Sequence, residues 1–322
     1  MEFLNEYGLF LAKVVTALIA VAIVLMLFGG KERRGRERLE VKRLNDQFHA
    51  MELAMQRQLL SGKRLRQLLK FKRREHKKTG TQERRVFVID FRGDIRASQT
   101  ESLRQEVSAV LTVAKAGDEV VVRLESPGGT VPGYGLAASQ LARLRERDIR
   151  LTVAVDQVAA SGGYLMACVA HRILAAPFAI LGSIGVVGQM PNFHRLLKEH
   201  NIDFEMETAG EYKRTLTVFG ENDNEGRRKF RDDLEAVHDQ FKGFVQRFRP
   251  GLEIAQVATG EHWLGEKARE LGLVDEIQTS DDYLQAVSRE ATVLKVTYHR
   301  KPALGRRLSL AFENALARLL SN

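Results

Sequence analysis

The sequence predicts an α/β domain preceded by an N-terminal transmembrane helix and a basic helical stalk, and three observations carry that prediction. The run from Leu9 to Phe28, "LFLAKVVTALIAVAIVLMLF", is 20 residues long and holds a single charge, Lys13. A polar segment follows whose apolar residues fall three and four apart. From Val86 onward, short apolar runs of strand type alternate with helical patterns, which is the signature of parallel strands joined by helices. The expected organisation is an anchor over 1–30, a stalk and linker over 31–83, the α/β domain over 84–280 and a C-terminal helical tail over 281–322.

The apolar run has the length of a spanning helix, and Lys13 lies near its start, where its side chain can snorkel to the interface. A cleaved signal peptide would begin with basic residues and end at a small-residue site. This segment begins with Glu2 and Glu6 and runs into "GGKERRGRER", so it reads as an uncleaved anchor in the bilayer through residues 9–28. Lys31, Arg33, Arg34, Arg36 and Arg38 directly follow it, and by the positive-inside bias they favour a cytoplasmic body.

Between Glu40 and Lys78, Val41, Leu44, Phe48, Met51, Met55 and Leu59 define one helical face. The segment is either a self-associating stalk or a charged, solvated helix, and "KKTGTQERR" ends it as a linker. Between Lys31 and Arg85 stand 19 Lys/Arg against 7 Asp/Glu, so a chain of net charge +9 has a net negative remainder. The basic charge therefore follows the anchor rather than lying on the folded domain, which excludes a nucleic-acid footprint.

Within the domain, strands are expected at Val86–Phe91, Glu119–Leu124, Leu151–Val155, Arg172–Ala175 and Asp203–Glu207. Helices are expected at Glu101–Lys115, Tyr134–Arg145, Tyr164–Ala170, Asn192–His200 and Asn224–Phe248. The chain ends in an amphipathic helical pattern, "GRRLSLAFENALARLL". Its one cysteine, Cys168, reads as a small buried hydrophobe in "GYLMACVA". The eight histidines show no metal-ligand spacing, so neither a metal nor another cofactor is expected.

Three glycine-bearing turns, "ESPGGTV", "ASGGY" and "LGSIGVVG", accompany the strands. Such loops gather at the carboxyl ends of the strands, and glycine there lets a ligand approach exposed backbone N–H groups. Ser161 of "ASGGY" either caps a helix or attacks a carbonyl. A nucleophilic serine needs a base and donors for the developing oxyanion. The G-x-S-x-G elbow is absent and no histidine falls in a glycine-rich loop, His171 and His194 reading as structural. Carboxylates and lysines remain as bases, and "AGEYKRTLTVFG" places Lys213 in a short loop.

Four ordered motifs, "RLESPGGTV", "VDQVAASGGYLMACVAHRILAAPFAILGSIGVVG", "ETAGEYKR" and "TGEHWLGEKARELGLVDEI", resemble the signal-peptide peptidase A family of membrane serine peptidases. The long N-terminal extension is similar to that of its SohB branch. The resemblance implies a ClpP/crotonase-like fold with a Ser/Lys dyad, Ser161 as nucleophile and Lys213 as general base. It further implies that Ser183 of "GSIG" hydrogen-bonds the lysine amine and that the amides of Gly129 and Gly162 form the oxyanion hole. A lysine amine, with a usual pKa of about 10.4, must lose solvation or sit near positive charge to act as a base, and a dry interface would do this. The family implies peptide substrates associated with membranes, such as remnant signal peptides, and a homo-oligomer whose sites are shared between subunits. It implies the bacterial inner membrane with the body in the periplasm, against the cytoplasmic side favoured by the charge bias. Two other classes stay open: a crotonase-type acyl-CoA enzyme, which would need a catalytic carboxylate such as Glu125 or Asp156, and a non-catalytic membrane scaffold of the same fold.

Overall fold

A computed structural model describes residues 6–17, 37–67, 69–70 and 84–300. Contacts divide the chain into two compact units, Met1–Leu39 with Tyr298–Asn322, and Glu40–Thr297. In the first unit, residues 6–17 are helical (α1), with the Thr16 hydroxyl donating to the Ala12 carbonyl at 2.8 Å. Among the described residues no helix is long and apolar enough to cross a membrane. Residues 18–28 of the expected span and the terminal pattern after residue 300 lie outside the described residues.

The second unit is mixed α/β around a seven-stranded sheet. In chain order the first elements are β1 (Arg38–Arg43), α2 (Leu44–Leu59) and the helical residues 62–67 (α3). The alternating core follows as β2 (Arg85–Arg92), α4 (Thr100–Val113), β3 (Glu119–Glu125), α5 (Val131–Arg145) and β4 (Arg150–Val155). Next stand β5 (Val158–Ala160), α6 (Gly162–Ala167), β6 (Arg172–Ala175), β7 (Ile180–Gly182), α7 (His194–Glu199) and α8 (Asn224–Phe248). The unit closes with α9 (Ile254–Val257), β8 (His262–Leu264), α10 (Gly265–Glu270), β9 (Glu276–Ile277), α11 (Ser280–Val287) and β10 (Thr292–His299).

The main sheet runs β1-β10-β2-β3-β4-β6-β9, with parallel pairing from β10 through to β9. A sheet of this kind must be covered on both faces, and β2 shows why these residues suit it. Phe87, Ile89 and Phe91 point into one core with Val120, Val122, Leu151 and Val153, beneath α4, α5 and α6. The alternate residues Val86 and Val88 join Val121, Ala154 and Leu174 in a second core under Leu44, Tyr283 and Leu284. Helix α5 buries Leu141 and Leu144 completely, worth about 1.5–3 kcal/mol for each side chain. A small second sheet, β5-β7-β8, stands beyond the carboxyl end of β3 and carries the site.

Expectations for the stalk, one strand and the tail change. The stalk is not helical from Glu40: "RLEVKR" alternates charged and apolar residues, a period-2 pattern, and pairs as the edge strand β1. Its helix then ends at Leu60, which is extended. Met51, Met55 and Leu59 of the expected apolar face are exposed, whereas Leu44 and Phe48 pack on the sheet. No strand forms over Asp203–Glu207, because those residues are exposed with no neighbouring strand and Asp203 instead pairs with Lys198 at 2.6 Å. The tail assigned to 281–322 contains a strand, β10, whose Val293 and Val296 enter the two cores between β1 and β2.

Candidate active site

The three glycine-bearing turns converge. An isolated parallel bridge pairs Ser126 with Ala159, so the chain leaving β3 runs beside β5, and β5 in turn pairs with β7. The Ser126 amide donates to the Val158 carbonyl at 2.8 Å and the Ala160 amide to the Ser126 carbonyl at 3.0 Å. The register partners Ala160 and Gly182 are each followed by a serine, which brings Ser161 and Ser183 side by side at the ends of adjacent strands. The Ser161 amide donates to the Gly182 carbonyl at 2.8 Å, and the Ser183 amide to the Glu261 carbonyl at 2.6 Å.

Ser161 has φ 52° and ψ −119°, and Ser183 has φ 51°. The Ser161 conformation is that of the first central position of a type II′ turn, ordinarily a glycine. A non-glycine residue held there stores strain of about 1–3 kcal/mol, which persists only where the surroundings enforce it. Ser161 is half-buried and leads directly into α6, whose first amides have no intrahelical partner.

The loop after β3 is pressed onto this point. At Gly128, φ is +92°, and a Cβ there would stand 2.8 Å from Ser161 Cβ and 2.9 Å from the Gly162 nitrogen. A Cβ on Gly129 would overlap the Ile95 backbone. Both positions of this turn thus need glycine to approach this closely. Among the described residues the Gly129 amide makes no hydrogen bond, while its neighbour Thr130 donates to the Ile95 carbonyl at 2.8 Å.

Four of the five expected site residues, Ser161, Gly162, Gly129 and Ser183, are therefore brought together. Lys213 is not joined to them. It lies exposed in a turn closed by its own amide on the Gly210 carbonyl at 3.1 Å, and among the described residues no hydrogen bond or ion pair links its amine to Ser161 or Ser183. The segment carrying it is braced locally. Phe219 stands between Phe193 and Phe204 with ring centroids 6.1 and 5.8 Å apart, and Asn192 donates to the Thr217 and Gly220 carbonyls, both at 2.9 Å.

The carboxylates that an acyl-CoA enzyme would need are engaged elsewhere. Glu125 ends β3 and pairs with Arg92 at 3.4 Å, while Asp156 accepts the Ser280 amide at 2.8 Å and its hydroxyl at 2.5 Å at the start of α11. His171 accepts the Leu151 amide at 3.0 Å, and burial, ahead of the nearby Arg145 charge, lowers its pKa. Cys168 is fully buried, which pushes its thiol far above the usual range.

Sequence reasoning missed Ser126 and Tyr134, which lie beneath the glycine turn. Tyr134 is fully buried, its hydroxyl 2.5 Å from Ser126 Oγ. The available signal was a tyrosine eight residues after the serine of "SPGG", in the first turn of the next helix.

Comparison with known proteins matches residues 2–141 to the N-terminal domain of peptidase family S49 and residues 143–294 to peptidase family S49 itself. The chain is 47% identical over 321 residues to a protein of Haemophilus influenzae named "Probable protease SohB", covering 94% of this chain and 91% of that one. It is 46% identical over 316 residues to a protein of the same name from Buchnera aphidicola subsp. Acyrthosiphon pisum, covering 95% and 93%.

Proposed function

The chain belongs to peptidase family S49, and from that premise we propose that it is a serine endopeptidase with Ser161 as nucleophile and Lys213 as general base. The observation that carries this reading is the strained Ser161 held against Gly128 beside two glycine amides. A serine capping a helix needs no such backbone, and the Ser161 side chain makes no capping hydrogen bond.

In the proposed reaction neutral Lys213 takes the Ser161 proton as Oγ attacks the peptide carbonyl. The carbonyl oxygen becomes an oxyanion, which the Gly129 and Gly162 amides receive. The lysine returns the proton to the departing amine, then activates a water that hydrolyses the acyl-enzyme. Ser183, neighbouring Ser161 across the strand pair, orients the lysine amine. No metal or cofactor enters these steps.

Lys213 completes the site from a neighbouring subunit, so that the protein works as a homo-oligomer with shared sites. Its exposure in a separately braced loop supports this, as do the exposed Val187, Ile202 and Tyr212 in the same region. Its substrates are membrane-associated peptides, such as remnant signal peptides, and the 20-residue apolar run supports an anchor in the bacterial inner membrane.

The test is complementation. Ser161→Ala and Lys213→Ala chains are each expected to fail to turn over peptide. Co-assembled, they recover partial activity, because some junctions pair an intact serine with an intact lysine. Proven co-assembly without recovery rules out the shared site, and peptide turnover by Ser161→Ala within about tenfold of wild type rules out the nucleophile, whose loss costs on the order of 10⁶ in a serine protease.

A further inference from the structure

The dyad reading uses neither Ser126 nor Tyr134, yet these two side chains join the loops that carry both oxyanion amides. The Tyr134 hydroxyl donates to the Asp94 carbonyl at 2.8 Å and lies 2.5 Å from Ser126 Oγ. A phenol has one hydrogen, and Asp94 receives it, so Ser126 is the donor in the second contact. Ser126 Oγ in turn accepts the Gly128 amide at 3.1 Å. The hydrogen bonds therefore run in one direction, from the Gly128 amide through Ser126 and Tyr134 to the Asp94 carbonyl. Both side chains are completely buried, where a satisfied network fixes a single arrangement.

This direction has a consequence for the neighbouring amides. The Gly128 N–H is turned inward to Ser126, leaving that of Gly129 as the free donor of the turn. The same tyrosine touches the other loop with its ring, because a Cβ added at Gly162 would overlap the Tyr134 ring. Gly93 closes the space behind, since a Cβ there would overlap both hydroxyls. One side chain thus sets the Gly128–Gly129 turn with its hydroxyl and the Ser161–Gly162 turn with its ring.

Resting on the proposed Ser161 chemistry, the structure assigns Tyr134 a positioning role: with Ser126 it fixes the separation of the Gly129 and Gly162 amides so that both meet one developing oxyanion. Donors of this kind act only when held at hydrogen-bond distance from the place the charge develops, and a misplacement of about 1 Å costs on the order of 10²-fold in rate. Burial, opposed by the Ser126 hydrogen bond, raises the phenol pKa, and the Asp94 carbonyl, which can only accept, fixes the direction of the network.

The experiment compares Tyr134→Phe, Ser126→Ala and the double variant in the full-length protein, using peptide turnover and the rate at which a fluorophosphonate labels Ser161. Tyr134→Phe keeps the ring and removes the hydroxyl. It is expected to lower kcat per labelled site about 10- to 100-fold with KM within about twofold, the labelling rate falling as well because both reactions develop negative charge on an oxygen held by the same two amides. Ser126→Ala falls similarly, and the double variant falls no further than the worse single one, since the network acts as a unit. A merely structural role would lower the folded fraction and leave kcat per labelled site unchanged. Values within twofold of wild type in Tyr134→Phe, or in Ser126→Ala should the first not fold, overturn the assignment. Wild-type protein without Ser161-dependent labelling overturns the dyad reading and this inference with it, an outcome distinguished by appearing before any variant is compared.

Discussion

Replacing Gly128 with alanine tests the closeness of the two turns at its tightest point. At φ +92° an L-residue is strained, at a cost of about 1–2 kcal/mol. The new Cβ would also stand 2.8 Å from the Ala160 oxygen, 2.8 Å from Ser161 Cβ and 2.9 Å from the Gly162 nitrogen. All of these neighbours belong to the backbone or to Ser161, so none can swing away. Relieving the overlaps moves the turn by roughly 0.5–1 Å at an overpacking cost of about 1–3 kcal/mol, for a total of about 2–5 kcal/mol. The same movement displaces the Gly129 amide and lowers kcat on the order of 10²-fold. Gly117 separates the two costs, because it has φ +93° with nothing within 4 Å of its added Cβ. Gly117→Ala should therefore lose only the backbone component, about 1–2 kcal/mol, with activity intact. Urea unfolding gives the stabilities and peptide turnover the rates. Equal stability losses in the two variants, or Gly128→Ala turnover within about threefold of wild type, would refute the close approach as the reason for this glycine.

Three further outcomes follow from the same contacts. Ser161→Gly should abolish peptide turnover while raising stability by about 1 kcal/mol in urea unfolding, because glycine adopts this backbone without strain. Burial acts to raise the Asp90 pKa, but hydrogen bonds from Arg123 and Lys295 outweigh it and hold the carboxyl below its ordinary value. The pair's contribution is present above the unfolded pKa of about 3.9 and is lost as pH falls through the folded one, so Asp90→Asn should cost about 1 kcal/mol near pH 7 in urea titrations and progressively less below about pH 4. Asn45 donates to the Ser288 and Ala291 carbonyls at 2.8 and 2.9 Å and accepts the Val293 amide at 2.8 Å, so Asn45→Ala leaves buried groups unpaired. It should cost about 2–3 kcal/mol in the same assay, without changing kcat.

The strands legible in the sequence are those with long apolar runs buried on both faces. "RVFVIDF" and "EVVVRLE" could hardly be anything else, and β4 and β6 follow the same rule on a shorter scale. The strands of the second sheet are three residues each, too short for any period to register. Strand β10, "TVLKVTYH", carries a readable alternation, but it follows α11 and returns across the sequence to lie beside β2, a long-range pairing that no local pattern encodes. "DFEME" alternates equally well and forms no strand, because alternation yields a strand only where a neighbouring edge accepts its hydrogen bonds.

The same division between local and long-range information governs the site. Glycine turns around a serine are local, and they singled out Ser161, while Gly162, Gly129 and Ser183 came from the family resemblance; three parallel segments bring these residues to one place. The Ser126–Tyr134 pair has only a weak signal in sequence, the spacing of the two residues, because a buried tyrosine on an apolar helix face is ordinarily core, and its hydroxyl's contact with Ser126 separates the two roles. Lys213 stands apart for another reason. The nucleophile and the two amides sit on turns that share hydrogen bonds with the sheets, so their separations are set by folding a single chain. The loop bearing Lys213 is held by Phe193, Phe204 and Phe219 and by Asn192, none of which reaches those turns. Among the described residues, no contact of that loop ties Lys213 to the serine turns. Under the shared-site reading the next subunit makes that tie, and assembly itself then becomes the step that switches the peptidase on.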